Sequence, residues 1–352
     1  MSHASEVSMP HTGGILGARY ILRERIGAGG RGRVFRARDE VLARDVAIKI
    51  FRADGSGESE PLRRMPEVRT FASLDHPSLI TLYDARLLDE DHGYLVMELI
   101  AGPSLQRRIE RGEIEASDLA GILGDLAGAL AVVHDAGIVH RDVTPSNVLL
   151  RPLHGATRDV EAVLAHFGVS PRVDATGPII PRTGIGSSPY LAPEQVRGEA
   201  PGAAADIYAL GLLAIEAHTR RPPCGAASLQ GTVLERRARR PEVPGSLSPA
   251  WQRLLSAMIA ADAAERPSAA TVAARAAELT REASANEADS EDPLVGWTTA
   301  TAPVTAPLST PGGVSAAGPA PSVDPPAGSS ARLPRPGRRP MRTWLRRGRR
   351  MP

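Results

Sequence analysis

The chain is almost devoid of lysine. It carries 42 basic side chains, and Lys49 is the one lysine among them. Every other cation is arginine, a bias of the kind a GC-rich genome imposes. Lys49 closes the tetrapeptide Val46-Ala47-Ile48-Lys49, a short way downstream of Gly27-Ala28-Gly29-Gly30-Arg31-Gly32-Arg33-Val34. A compact ammonium on a flexible stem meets a phosphate as a point charge, which a planar guanidinium does not reproduce. The composition therefore singles out Lys49 as a position that requires lysine chemistry. Chance survival of one lysine is the plain alternative.

Cysteine is nearly absent too. The single Cys224 excludes an intramolecular disulfide and fits a reducing compartment, or simply a small, partly buried apolar side chain. The N-terminus lacks the apolar core of a signal peptide. Residues 294–323 carry no charge, yet they are rich in Pro, Gly, Ser and Thr and lack the apolarity of a spanning helix. These absences lead to the expectation of a soluble, cytoplasmic protein. Acids are missing after Asp324, whereas nine arginines lie between Arg332 and Arg350. Without those nine, 33 basic residues face 40 acidic ones, so residues 1–331 carry about −7 and the tail holds the positive charge.

A chain of 352 residues can bury a large core, in more than one lobe. Residues 1–16 read as a loose leader. From Tyr20 to Phe51 the pattern is strand, glycine loop, strand, turn, strand, with the apolar run Asp45 to Phe51 as the last strand. Leu119, Ile122, Leu123, Leu126, Leu130 and Val133 form one helical stripe, with Ser117 as a possible cap. Further helices are expected over Asp206–His218, Trp251–Ile259 and Ser268–Arg281. Beyond Glu282 the composition shifts to Pro, Ala, Ser, Thr and Gly, as in a disordered linker. No internal repeats occur. The resulting division is 1–16 leader, 17–100 strand-rich part, 101–281 helical part, 282–331 linker and 332–352 basic tail.

The glycines at 27, 29 and 32 permit a tight strand–loop–strand whose backbone N–H groups can approach phosphate oxygens. No helix signal follows the loop, which argues against a dinucleotide-binding βαβ unit. A structural glycine-rich hairpin is the bland alternative. The Val-Ala-Ile-Lys that follows, however, makes the pattern resemble the protein kinase family. His140-Arg141-Asp142-Val143-Thr144-Pro145-Ser146-Asn147 is similar to its catalytic loop. Ala192-Pro193-Glu194 is similar to the end of its activation segment, and Asp206 to Gly211 to the motif that anchors its large lobe. Arg266 matches the arginine paired with the position of Glu194. The resemblance covers roughly residues 17–281 and is closest to bacterial serine/threonine kinases of the eukaryotic-like type.

It implies an α+β, bilobal protein kinase fold, with a small β-rich N-lobe, a larger helical C-lobe and a disordered C-terminal tail. It also implies ATP and Mg²⁺ as cofactors and proteins as substrates. Lys49 would hold the α- and β-phosphates, paired with Glu67. Ile26, Gly27, Gly29, Gly32, Val34, Ala47 and Leu149 would enclose the nucleotide, with Met97 behind the adenine and Glu98 to Ile100 as the hinge. Any one of the apolar positions has an ordinary core reading too. Asp142 would take or orient the substrate hydroxyl proton, and Asn147 would bind metal through its amide oxygen. Arg141 resembles the arginine that pairs with an activation-loop phosphate. Thr176, Thr183, Ser187 and Ser188 are candidate phosphosites or plain solvated hydroxyls.

The pattern departs from the family in three places. His166-Phe167-Gly168 stands where the family has Asp-Phe-Gly, so the second metal position offers an imidazole in place of a carboxylate. Mg²⁺ prefers oxygen, and a nitrogen ligand suits Mn²⁺ or Zn²⁺ better. Much slower transfer, or none, is the expected consequence. Thr144 replaces a lysine that touches the γ-phosphate in most members. Pro66 precedes Glu67, so either the helix starts near Pro66 or the Lys49–Glu67 pair is not held in the usual way. Phe71, Phe167 and His140 resemble the stacked column that joins the lobes. Three readings stand: a serine/threonine kinase of reduced activity, a pseudokinase that binds ATP or purely scaffolds and regulates a partner, or an adaptor for acidic surfaces whose function lies in the tail. The arginines around Trp344 and Leu345 suit an acidic membrane surface better than nucleic acid, and a solvated tail is the plain alternative. The sequence leaves oligomeric state open.

Overall fold

The computed structural model describes residues 11–29, 32–52, 65–88, 92–112, 114, 116–153, 158–165, 188–223 and 241–290. All of these fall within the first of two compact units, Met1–Val295. Gly30 and Arg31, Cys224, the His166-Phe167-Gly168 segment, Thr176, Thr183, Ser187 and the basic tail lie outside the described residues. The side chains of Glu67 and Ser188 do as well.

The N-terminal part is an antiparallel six-stranded sheet in the order β1-β2-β3-β4-β6-β5. Its strands are β1 (Ile15–Leu16), β2 (Tyr20–Gly29), β3 (Gly32–Asp39), β4 (Arg44–Arg52), β5 (Leu82–Leu87) and β6 (His92–Met97). Period-two alternation sorts β4 into two faces. Val46, Ile48 and Ile50 enter a core with Tyr20, Leu22, Phe35, Tyr94 and Val96. Ala47 and Lys49 therefore share the opposite face. Tyr20 and Tyr94 meet edge to face at 6.2 Å, a favoured aromatic geometry. β1 corrects the leader boundary at residue 16: Leu16 pairs with Tyr20 and is buried in this core.

Helix α1 (Met65–Ala72) crosses between β4 and β5 in the chain. Pro66 is its second residue. An N–H there has no intrahelical acceptor in any case, so the proline starts the helix without breaking it. The first of the two alternatives for Pro66 holds.

The C-terminal part is helical. Its elements are α2 (Leu105–Arg111), α3 (Ala116–Asp135), the hairpin β7 (Val148–Pro152) and β8 (Val160–Leu164), α4 (Pro193–Val196), α5 (Ala203–Thr219), α6 (Pro249–Met258) and α7 (Ala269–Ser290). All of the α3 stripe from Leu119 to Val133 is buried. The helix runs from Ala116, so Ser117 stands at its second position. Every residue of α5 from Ala205 to Ala217 is buried, as befits a central helix apolar on all sides. α7 packs along α3, with Ala276 beside Gly124. It continues to Ser290, past the expected boundary at residue 281. None of the described helices is long and apolar enough to cross a membrane.

Candidate active site

Three glycine-loop backbones are placed by the β2–β3 register, in which Gly27 faces Val34 and Gly29 faces Gly32. β3 in turn sets Val34 beside Lys49, and β6 sets Leu95 on the other side of Lys49 and Met97 beside Ala47. Beneath this sheet face lies an apolar cluster of Ala47, Ile80, Leu95, Met97, Ile100, Val163 and Ala165. Val34, Val68 and Leu149 pack against it, half-buried. The structure thus gathers the expected Val34, Ala47, Met97, Ile100 and Leu149 around one spot. Ile26 is the exception, 44% exposed on β2 and outside the cluster. Sequence reasoning missed Val163 and Ala165. Val163 arrives opposite Leu149 through hairpin pairing, and no local pattern marks such a partner.

The hinge follows β6. The Glu98 N–H donates to the Thr81 carbonyl at 2.9 Å. Among the described residues, neither the N–H nor the carbonyl of Ile100 is taken up by another backbone group. The Glu98 side chain turns away from the apolar cluster and is held by Arg151, which donates to both carboxylate oxygens at 3.0 and 3.1 Å. Any contact of Glu98 with a nucleotide is therefore left to its backbone.

The catalytic-type loop hangs on Asp206, a carboxylate only 1% exposed on α5. It accepts the His140 N–H at 2.8 Å and the Arg141 N–H at 2.7 Å, and His134 Nε2 stands 2.9 Å away. Arg141 has φ of 64°, a left-handed conformation costly for a residue with a side chain. The buried carboxylate holds that conformation in place. Burial pushes the His140 imidazole below its ordinary value, against the nearby Asp206 and Asp142, which favours the neutral ring.

Asn147 Nδ2 donates to the Asp142 carbonyl at 2.8 Å. Its N–H donates to the Thr144 carbonyl, and its own carbonyl accepts the Ala165 N–H at 2.8 Å. With the amide nitrogen engaged, Oδ1 is the atom left to accept, the donor a hard cation prefers. Thr144 is buried, with its hydroxyl 3.0 Å from that of Ser146. A cleft beside this loop is lined by Arg141, Asp142, Thr144, Tyr190, Leu191 and Gln195. Among the described residues no cluster of three or more His, Cys, Asp or Glu could form a metal cage.

Comparison with known proteins agrees with this geometry. Residues 20–276 match the protein kinase domain family, and the chain belongs to it. It is 34% identical over 266 residues to the serine/threonine-protein kinase PknA of Mycobacterium tuberculosis, covering 73% of this chain and 60% of that protein. PknL of Mycobacterium bovis is 37% identical over 218 residues, covering 61% of this chain and 52% of that protein. PrkC of Bacillus subtilis is 33% identical over 222 residues, covering 62% and 33%. The chain therefore spans 60% or less of the length of these relatives. Family membership implies ATP and a divalent cation. The apolar cluster, the untaken hinge backbone and Asn147 Oδ1 fit them.

Proposed function

We propose that the chain transfers the γ-phosphate of ATP to serine or threonine hydroxyls of protein substrates. One observation carries the reading. Lys49 and Ala47 share a sheet face over the apolar cluster, and the strand that supplies Val163 to that cluster leads through Ala165 back to Asn147 and the Asp142 loop. An apolar cluster, the lysine of its sheet face and an acid–amide pair are thereby linked through neighbouring strands, which supports the reading.

The residues divide the work as follows. The Ile100 N–H and the Glu98 carbonyl would fix the adenine edge, between Val34 and Ala47 on one side and Leu149 and Val163 on the other. Lys49 would hold the α- and β-phosphates, and the backbone of Gly27, Gly29 and Gly32 would cover them. Asn147 Oδ1 would hold Mg²⁺. The cation, when bound, supplies charge neutralisation on the transferring phosphoryl group. Asp142 would orient the incoming hydroxyl and accept its proton. Because His166 offers nitrogen where a carboxylate is usual, transfer with Mg²⁺ is expected to be slow, and faster with Mn²⁺. The relatives are all named as kinases, and none of the comparisons supports the pseudokinase alternative.

The test uses the full chain. Its melting temperature is measured with ATP, with and without Mg²⁺ or Mn²⁺, and labelled phosphate is followed into protein. His166→Asp should raise incorporation and Asp142→Asn should abolish it. No thermal shift with any adenine nucleotide, or incorporation indifferent to both changes, overturns the proposal.

A further inference from the structure

The hinge is gripped by a side chain that no motif in the sequence marks. Arg151 lies on β7, two positions beyond Leu149, and its side chain reaches the neighbouring strand β8 and two segments of the N-terminal part. It donates to both carboxylate oxygens of Glu98 in the hinge, to the Pro77 carbonyl at 3.1 Å, and to the Glu161 carboxylate on β8. Pro77 lies in the turn a few residues after α1, the helix that carries Glu67. β8 runs directly into Ala165 and His166. Arg151, Glu98 and Glu161 are 27%, 26% and 17% exposed, so the three charges meet in a seam partly shielded from water.

A second contact pins the far end of the hinge. A methyl group at Gly102 would come within 1.6 Å of the Leu150 carbonyl oxygen, so only glycine permits the chain to lie this close to β7. The Leu150 N–H also donates to the Pro103 carbonyl at 2.9 Å. Leu99 and Ile100 are thus suspended between two fixed points on the same strand, Arg151 and Leu150. That strand also presents Leu149 to the apolar cluster.

We propose that Arg151 is a positioning residue for the nucleotide. By holding Glu98, it sets the angle at which the Glu98 carbonyl and the Ile100 N–H face the adenine. By standing between Glu98 and Glu161, it offsets the repulsion of two carboxylates across the seam between hinge and hairpin. The inference rests on the proposed function and deepens it. A lysine takes the place of Arg151 only in part, because one ammonium does not supply the planar fork that serves a carboxylate twice while reaching two further acceptors.

The experiment compares the full chain with Arg151→Met, with Arg151→Lys and with a triple variant carrying Glu98→Gln, Arg151→Met and Glu161→Gln. The readouts are ADP affinity, which needs no phosphoryl transfer, the KM for ATP, the KM for a protein substrate, and the melting temperature. Arg151→Met should weaken ADP about tenfold and raise the KM for ATP alike, with the KM for protein unchanged within about twofold. Arg151→Lys should fall between. The triple variant should recover part of the loss, since its amides no longer repel. ADP affinity unchanged in Arg151→Met overturns the inference. So does a parallel rise of both KM values with a falling melting temperature, the mark of a merely structural strap. Should Arg151→Met fail to fold, Arg151→Lys and Glu98→Gln decide on the same readouts. Absence of nucleotide binding by the unaltered chain sinks the proposed function itself, whereas normal binding with an indifferent Arg151 sinks this inference alone.

Discussion

Arg266 closes a two-bond fork on the carboxylate of Glu194, 72 positions away, at 2.7 and 2.8 Å, with both side chains buried. The same guanidinium donates to the carbonyls of Ala260 and Ala204, both at 2.9 Å, and lies over the Tyr208 ring at 4.8 Å. Glu194 is the second residue of the short helix α4, and Tyr190 and Leu191 shortly before it line the cleft beside Asp142. The pair therefore ties one wall of that cleft to the helical core.

Arg266→Met is expected to destabilise the protein by about 3–5 kcal/mol, because it strands a buried carboxylate without a partner. Arg266→Lys should recover little of this, since lysine lacks the fork. The double change Arg266→Met with Glu194→Met should cost less than Arg266→Met alone. Urea unfolding midpoints at constant slope measure all three. A double variant no better than the single one would show that the charge is not what matters.

Asp206→Asn keeps the shape of the anchor but offers one carbonyl oxygen where two backbone N–H groups need acceptors. The loop through Arg141 should then leave its left-handed conformation, and Asp142 with it. Displacement on the order of an ångström costs about a hundredfold in rate. Turnover should fall by that much or more while ADP affinity stays within about twofold. Equal loss of both would place Asp206 in general stability instead.

Acid should loosen the N-terminal sheet through Asp39. The Arg19 guanidinium bonds both of its oxygens, at 2.8 and 2.7 Å. That pairing, opposed by burial and aided by the Leu42 and Val41 N–H groups, lowers its carboxyl from 3.8 to about 2. The unfolded chain therefore binds this proton more readily. The contribution is complete above the unfolded value of 3.8 and is lost as pH falls toward about 2. Urea midpoints between pH 5 and pH 3 should fall more steeply for the unaltered chain than for Arg19→Met. Parallel curves would remove Asp39 from the acid response.

Part of the site was readable because short-range geometry determines it. Alternation along β4 puts Ala47 and Lys49 on one face whatever else happens, and the α3 stripe fixes which side of that helix is buried. Pro66 allowed two outcomes, and the helix start at Met65 selected between them. Three boundaries fall elsewhere than expected. Pairing of Ile15 and Leu16 with β2 pulls two residues of the leader into the sheet. α7 persists to Ser290 beyond the expected change of composition. Ser117 has the chemistry of a cap, and the helix begins one residue before it.

By itself, the sequence determined the family, the lysine and the order of the parts, because these depend on residue chemistry at fixed spacing along the chain. The tertiary structure alone decided that Val163 and Ala165 complete the apolar cluster, that Glu98 turns its carboxylate from that cluster to Arg151, and that Ile26 stays outside. Each of these depends on which segments come to lie side by side in the folded chain, and no periodicity within a segment encodes its neighbour.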